Sequence, residues 1–147
     1  MADQAAAIRP DGRASFADWA RRAAISLRMR GGQAILLTDG MMEPAELFEG
    51  LHLLSTRNLE VKIIQVLTPD ELHPAKLMRG GLLVDAETGQ THQLAYSAAE
   101  LERAVTDHNE TLARFCKRHG MPFVQHRLDE SLDEFITKTL PIHGFLE

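Results

Sequence analysis

The residues in this chain best placed to do chemistry are Thr38, Asp39 and Gly40, which close the apolar run Ala34-Ile35-Leu36-Leu37. A second apolar run, Val61-Lys62-Ile63-Ile64-Gln65-Val66, follows about one helix later. Two such runs separated by a helix read as a β-α-β unit. Ligands in these units gather beyond the carboxyl ends of the strands, which is where Asp39 falls. A carboxylate there suits a hard cation: Mg²⁺ takes about six oxygens, commonly one or two from carboxylates and the rest from water or a partner. Asp39 supplies one of them and is the candidate metal ligand, with Thr38 and Gly40 completing the loop that a partner or metal would meet.

Other groups compete poorly. Asp129-Glu130-Ser131-Leu132-Asp133 has the D-x-S-x-D form of a cation loop, but Ser131 with Glu134 reads more simply as a helix cap. The seven histidines are scattered, and no two stand four apart on one helix. A lone cysteine, Cys116, cannot complete a zinc set and falls at a helical core position. His108 lies on the apolar face of its helix, as a hydrogen-bonded core histidine would. The sequence contains no G-x-S-x-G elbow, P-loop or dinucleotide fingerprint.

The elements that must position these groups are legible from periodicity. Residues 1–13 read as a loose leader ending at Pro10-Asp11-Gly12, and 14–147 as one domain. Ser15 opens a helix carrying Phe16, Trp19, Ala20, Ala23 and Leu27, which Gly31-Gly32 ends. After the strand at 34–38, Pro44 starts a helix with Leu47, Phe48, Leu51 and Leu54 on its buried stripe. Pro69 and Pro74 bracket an acidic turn in which Glu71 caps backbone N–H groups. Leu82-Leu83-Val84 and His92-Gln93-Leu94-Ala95 form a hairpin. Ser97 and Glu100 box the start of a long helix bearing Leu101, Val105, His108, Leu112 and Phe115. Phe123-Val124 begin a third parallel strand, and Leu132, Phe135, Ile136 and Leu140 mark a last helix. The fold class is α/β: a parallel sheet of at least three strands, flanking helices and an inserted β-hairpin.

Composition sets further bounds. The 44% hydrophobic and 25% charged residues are those of a globular domain. A net charge of −5 argues against a general nucleic-acid binder. Arg9, Arg13, Arg21, Arg22, Arg28 and Arg30 crowd the start and read as a solvated helix face, or as a dock for an acidic partner. One cysteine excludes an internal disulfide, and no apolar run approaches the roughly 18 residues of a spanning helix. A soluble, cytoplasmic protein is the expectation.

From about residue 14 to 147 the chain resembles the C-terminal half of the family called domain of unknown function fifty-eight, which has a von Willebrand factor A-like fold. Five pieces carry the resemblance in order: Leu37-Thr38-Asp39-Gly40; Gln65-Val66-Leu67-Thr68-Pro69-Asp70-Glu71-Leu72; Leu83-Val84-Asp85-Ala86-Glu87-Thr88-Gly89; Tyr96; and Phe115-Cys116. Pro69, Glu71, Asp85, Glu87 and Gly89 are its motif positions. The resemblance implies a Rossmann-like three-layer sandwich and a non-enzymatic, protein-binding role, such as an adaptor for a MoxR-type AAA ATPase. In von Willebrand A-like domains a metal-ion-dependent adhesion site joins a D-x-S-x-S loop, a Thr loop and an Asp loop, and Asp39 matches the Asp loop only. The D-x-S-x-S half has no counterpart before Gln33, so the expected site is incomplete, with weak Mg²⁺ binding or none.

A truncated sheet has a physical consequence. In the parent fold the 34–38 strand is flanked by a strand that has no counterpart here, which leaves an apolar edge open to aggregation unless it is covered. A homodimer through that edge is expected. The rival is that the arginine-bearing first helix folds over it. Two other functions stay open: a Mg²⁺-dependent α/β enzyme using Asp39, and a structural half-domain completed by another chain.

Overall fold

The computed structural model describes residues 15–26, 32–56, 59–77, 82–84, 91–93 and 97–146. Three strands, β1 (Gly32–Thr38), β2 (Leu59–Leu67) and β5 (Phe123–Arg127), form a parallel sheet in the order β1-β2-β5. The central position goes to the strand that is apolar on both faces, since seven of the nine β2 residues are buried and one more is half-buried. The register sets Leu37 beside Ile64 and Gln65 beside Gln125. β3 (Leu82–Val84) and β4 (Thr91–Gln93) make the expected hairpin as a separate antiparallel pair.

Helices α2 (Pro44–Ser55) and α4 (Ala98–Arg118) cover one face of the sheet, and α1 (Phe16–Ser26) packs on α2. Leu47, Leu51 and Leu54 of α2 and Leu112 and Cys116 of α4 pack with Val61 and Ile63 in the main core. The caps are those the sequence predicts. Ser97 Oγ accepts the Glu100 N–H at 3.3 Å while Glu100 Oε2 accepts the Ser97 N–H at 2.7 Å. Thr68 and Glu71 box the single turn α3 (Pro69–Leu72) in the same way. A 3₁₀ turn (Pro74–Leu77) follows.

Within its described residues, Phe16–Ser26, the first helix does not fold over the sheet edge. It packs on α2, where the Phe16 N–H bonds Glu46 Oε1 at 2.7 Å and Arg21 bridges Asp18 and Glu49. The approach is close because Gly50 of α2 has no side chain. A Cβ there would lie 2.4 Å from Phe16 Cδ1. The helix expected through Leu27 is described to Ser26 only, and residues 27–31 and the leader lie outside the described residues.

The opposite face is half covered. The C-terminal segment, α5 (Leu132–Glu134), a π-helical turn (Phe135–Thr139) and α6 (Leu140–Ile142), lays Phe135, Leu140 and Phe145 on Ile64 and Val124. Buried Lys62 pins this segment by donating from Nζ to the Gly144 carbonyl at 2.6 Å. Nothing described covers the same face of β1, where Ile35 is 48% and Leu37 67% exposed. Among the described residues β2 is the only strand paired with β1, which there occupies the edge position expected of it.

Candidate functional site at the carboxyl end of the sheet

The loop that follows β1 is built to hold a turn. Thr38 Oγ1 accepts the Gly40 N–H at 3.0 Å, and Asp39 Oδ1 accepts the Met41 N–H at 3.0 Å. Gly40 has φ +74, and a Cβ there would press on Gln65 Nε2 at 3.0 Å and Leu112 Cδ2 at 3.1 Å. Glycine is required on both counts.

Side chains from three elements grip this loop and one another. Gln65, fully buried in the centre of β2, donates from Nε2 to the Asp39 carbonyl and to Asn109 Oδ1, both at 2.8 Å. Its own Oε1 accepts from Gln125 Nε2 at 2.8 Å. His108 Nε2 meets the Gly40 carbonyl at 2.6 Å, so that ring nitrogen carries the proton. The turn after β1 is thereby tied to β2, β5 and α4 in one network, and a cleft of about 250 Å³ opens beside it between Leu72, Asn109, Phe123 and Gln125.

The network positions the Asp39 loop but commits its groups to structure. Thr38 Oγ1 and Asp39 Oδ1 each accept a backbone N–H, and among the described residues no hydrogen bond engages Oδ2 of the exposed Asp39. Among the described residues no three His, Cys, Asp or Glu side chains converge on a point. What the loop presents outward is one exposed carboxylate on a rigid turn, which suits contact with a partner's donors better than full encirclement of an ion.

The remaining candidates divide cleanly. Ser131 Oγ accepts the Glu134 N–H at 3.4 Å, so the D-x-S-x-D string is a helix start. Asp129 is engaged by Arg127 at 2.6 and 3.1 Å, and that hydrogen bonding holds its carboxyl below the usual aspartate range. Glu71 and Pro69 serve the α3 cap, whereas Asp85, Glu87 and Gly89 lie outside the described residues. His108 is hydrogen-bonded, as expected of it, but half-buried at the loop and not in the core.

Cys116 is fully buried, and desolvation pushes its thiol up to about 11. It should therefore resist alkylation at pH 8 in the native protein and react at the unfolded rate once denaturant is added. Rapid native labelling with Ellman's reagent would show the packing around α4 to be wrong.

Gln65, Asn109 and Gln125 belong to no recognisable motif, and Gln65 alone carries a signal in the sequence. An amide inside an otherwise apolar run must find partners if the strand is central. No family model matches this chain, and neither does any curated protein or solved structure.

Proposed function

We propose that the chain is a non-enzymatic protein-interaction domain of von Willebrand A-like type, which associates through the open flank of its sheet. The observation that carries this reading is β1 itself. Its sequence, Gly-Gln-Ala-Ile-Leu-Leu-Thr, has none of the charges or prolines that guard edge strands, and its Ile35 and Leu37 are exposed. The occupant is a second copy. Two uncharged, apolar edges pair antiparallel about a two-fold axis and bury each other's main-chain donors and acceptors. The Thr38–Gly40 loop then stands at each end of the join, where Asp39 Oδ2 is available to a further partner. The partner class that the sequence resemblance implies is a MoxR-type AAA ATPase.

Light scattering on the eluting peak tests the association. At micromolar concentration the mass should be twice the 16.4 kDa of one chain. Ile35→Lys with Leu37→Lys should return it to a folded monomer with an unchanged circular dichroism spectrum, because both side chains are exposed in the single chain, and the thermal midpoint should fall with the lost association. A wild-type monomer at that concentration would sink the paired-edge reading. The competing metal chemistry requires Mg²⁺ binding that Asp39→Asn abolishes, which calorimetry would detect.

A further inference from the structure

The amides that hold the Asp39 loop also set the chemistry of the cleft beside it. That cleft, of about 250 Å³, lies between α4 and β5 and is lined by both Asn109 and Gln125. Which end of each amide faces it follows from one group that can only accept. The Asp39 carbonyl fixes Nε2 of Gln65 toward itself, and the second hydrogen of that nitrogen goes to Asn109 Oδ1. Asn109 therefore turns its Nδ2 away from Gln65. Gln65 Oε1 takes the Gln125 Nε2 donor, so Gln125 likewise turns its Oε1 away. Among the described residues no hydrogen bond engages Asn109 Nδ2 or Gln125 Oε1.

Asn109 is the informative one. It is 8% exposed, and a donor on a side chain buried that far normally has a partner. Among the described residues, His126 Nδ1 is the one buried side-chain polar atom both unpartnered and sealed from solvent. Asn109 Nδ2 is unpartnered but not sealed, so a group entering the cleft can reach it. Gln125, exposed on the facing strand, brings its acceptor to the same cleft. The other polar side chains of the wall are committed. Thr106 donates to the Glu102 carbonyl at 2.9 Å, and Glu110 accepts from Arg114 at 2.9 Å. Leu72, Ala113 and Phe123 make the rest apolar.

We propose that this cleft binds a small neutral ring with a cis-amide edge, a carbonyl beside an N–H, such as a lactam or a pyrimidinedione. The ring carbonyl accepts from Asn109 Nδ2, the ring N–H donates to Gln125 Oε1, and the ring body lies on Phe123 and Leu72. Size selects a single ring, since sites for drug-sized molecules span about 300–1,000 Å³. No lysine or arginine lines the wall, and the chain carries a net charge of −5. A phosphate would find no counter-charge there, so the ligand is the free ring and not a nucleotide. β5 is the strand farthest from β1 in the sheet, and the site does not depend on edge pairing.

The test uses the full chain, ¹⁵N-labelled, titrated with 1-methylthymine or 1,3-dimethylthymine and followed through its side-chain amide signals. The Asn109 pair should move with 1-methylthymine. That ring should bind about 2- to 10-fold more tightly than its N3-methylated analogue, the ratio expected of one neutral hydrogen bond. Gln125→Ala, at an exposed position, removes the acceptor and should abolish the preference. Ala113→Leu fills the cleft from a half-buried position on α4, and should weaken both rings by about tenfold or more with an unchanged circular dichroism spectrum. Equal affinity of the two rings for the wild type would overturn the assignment, as would indifference to Ala113→Leu. An Asn109 signal unmoved at about 10 mM of 1-methylthymine would overturn it too. Tighter binding of hexathymidylate than of the free ring would make nucleic acid the occupant and refute the free-ring site. Asn109 signals that move with protein concentration alone would give the cleft to a second copy, with the same consequence.

Discussion

Gln65→Leu should lower stability by about 1–3 kcal/mol, although it places an apolar side chain in an apolar strand. Gln65 is fully buried, and its amide is the hub through which the Asp39 carbonyl, Asn109 Oδ1 and Gln125 Nε2 are satisfied. Removing it strands the buried Asn109 Oδ1, at about 1–3 kcal/mol, and takes a donor from the half-buried Asp39 carbonyl, which water can partly replace. The gain from one more buried aliphatic side chain offsets part of that. Gln125 is exposed and recovers by bonding water. Urea denaturation should show a lower midpoint with an unchanged slope. Hydrogen exchange of the Gly40 and Met41 amides should quicken, because their turn loses its tether to β2. Adding Asn109→Leu removes the stranded acceptor, so the double variant should regain part of the loss. A single variant as stable as wild type would mean that the amide network contributes nothing.

Gly50→Val should cost about 3 kcal/mol and displace the first helix. The glycine sits in the middle of α2, where it forfeits about 1 kcal/mol of helix stability relative to alanine. Phe16 explains why glycine stands there: a Cβ at position 50 would lie 2.4 Å from both Cδ1 and Cε1 of that ring. Valine therefore forces Phe16 out, and Ala20, fully buried in the same cluster, loses its cover. The single tryptophan reports the event directly, since Trp19 stacks on Phe16 with centroids 5.7 Å apart. Its emission should shift to the red in Gly50→Val at temperatures where the sheet is still folded. Gly50→Ala should fall between wild type and valine, because the helix gain only partly offsets the clash. If alanine stabilises the protein by its full helix propensity, α1 is not packed on Gly50.

Both variants concern features that no local reading of the chain supplies. The helices, their caps and the three strands were legible because each is decided within a few residues: Ser97 with Glu100, Pro44 at a first turn, an apolar run that stops at a carboxylate. The edge position of β1 among the described strands was expected only through the family resemblance, whose flanking strand has no counterpart here. The π-helical turn at 135–139 was not, for the apolar spacing of Leu132, Phe135, Ile136 and Leu140 fits an ordinary helix equally well.

What the sequence settled by itself is therefore the order and type of the elements, and that Asp39 falls at the carboxyl end of a strand. Periodicity and capping act over one to three turns, so they can be read without knowing what lies across the sheet. Tertiary structure alone decided what surrounds that aspartate. Gln65 and Asn109 are 44 residues apart, and His108 is 68 from the carbonyl it holds. Only packing the helix at 98–118 against β2 and β5 brings them together. The same packing decided which histidine is left with a bare nitrogen. His126 became an orphan because the C-terminal segment buries it against Phe135 and brings no donor, a fact set by where two distant stretches meet.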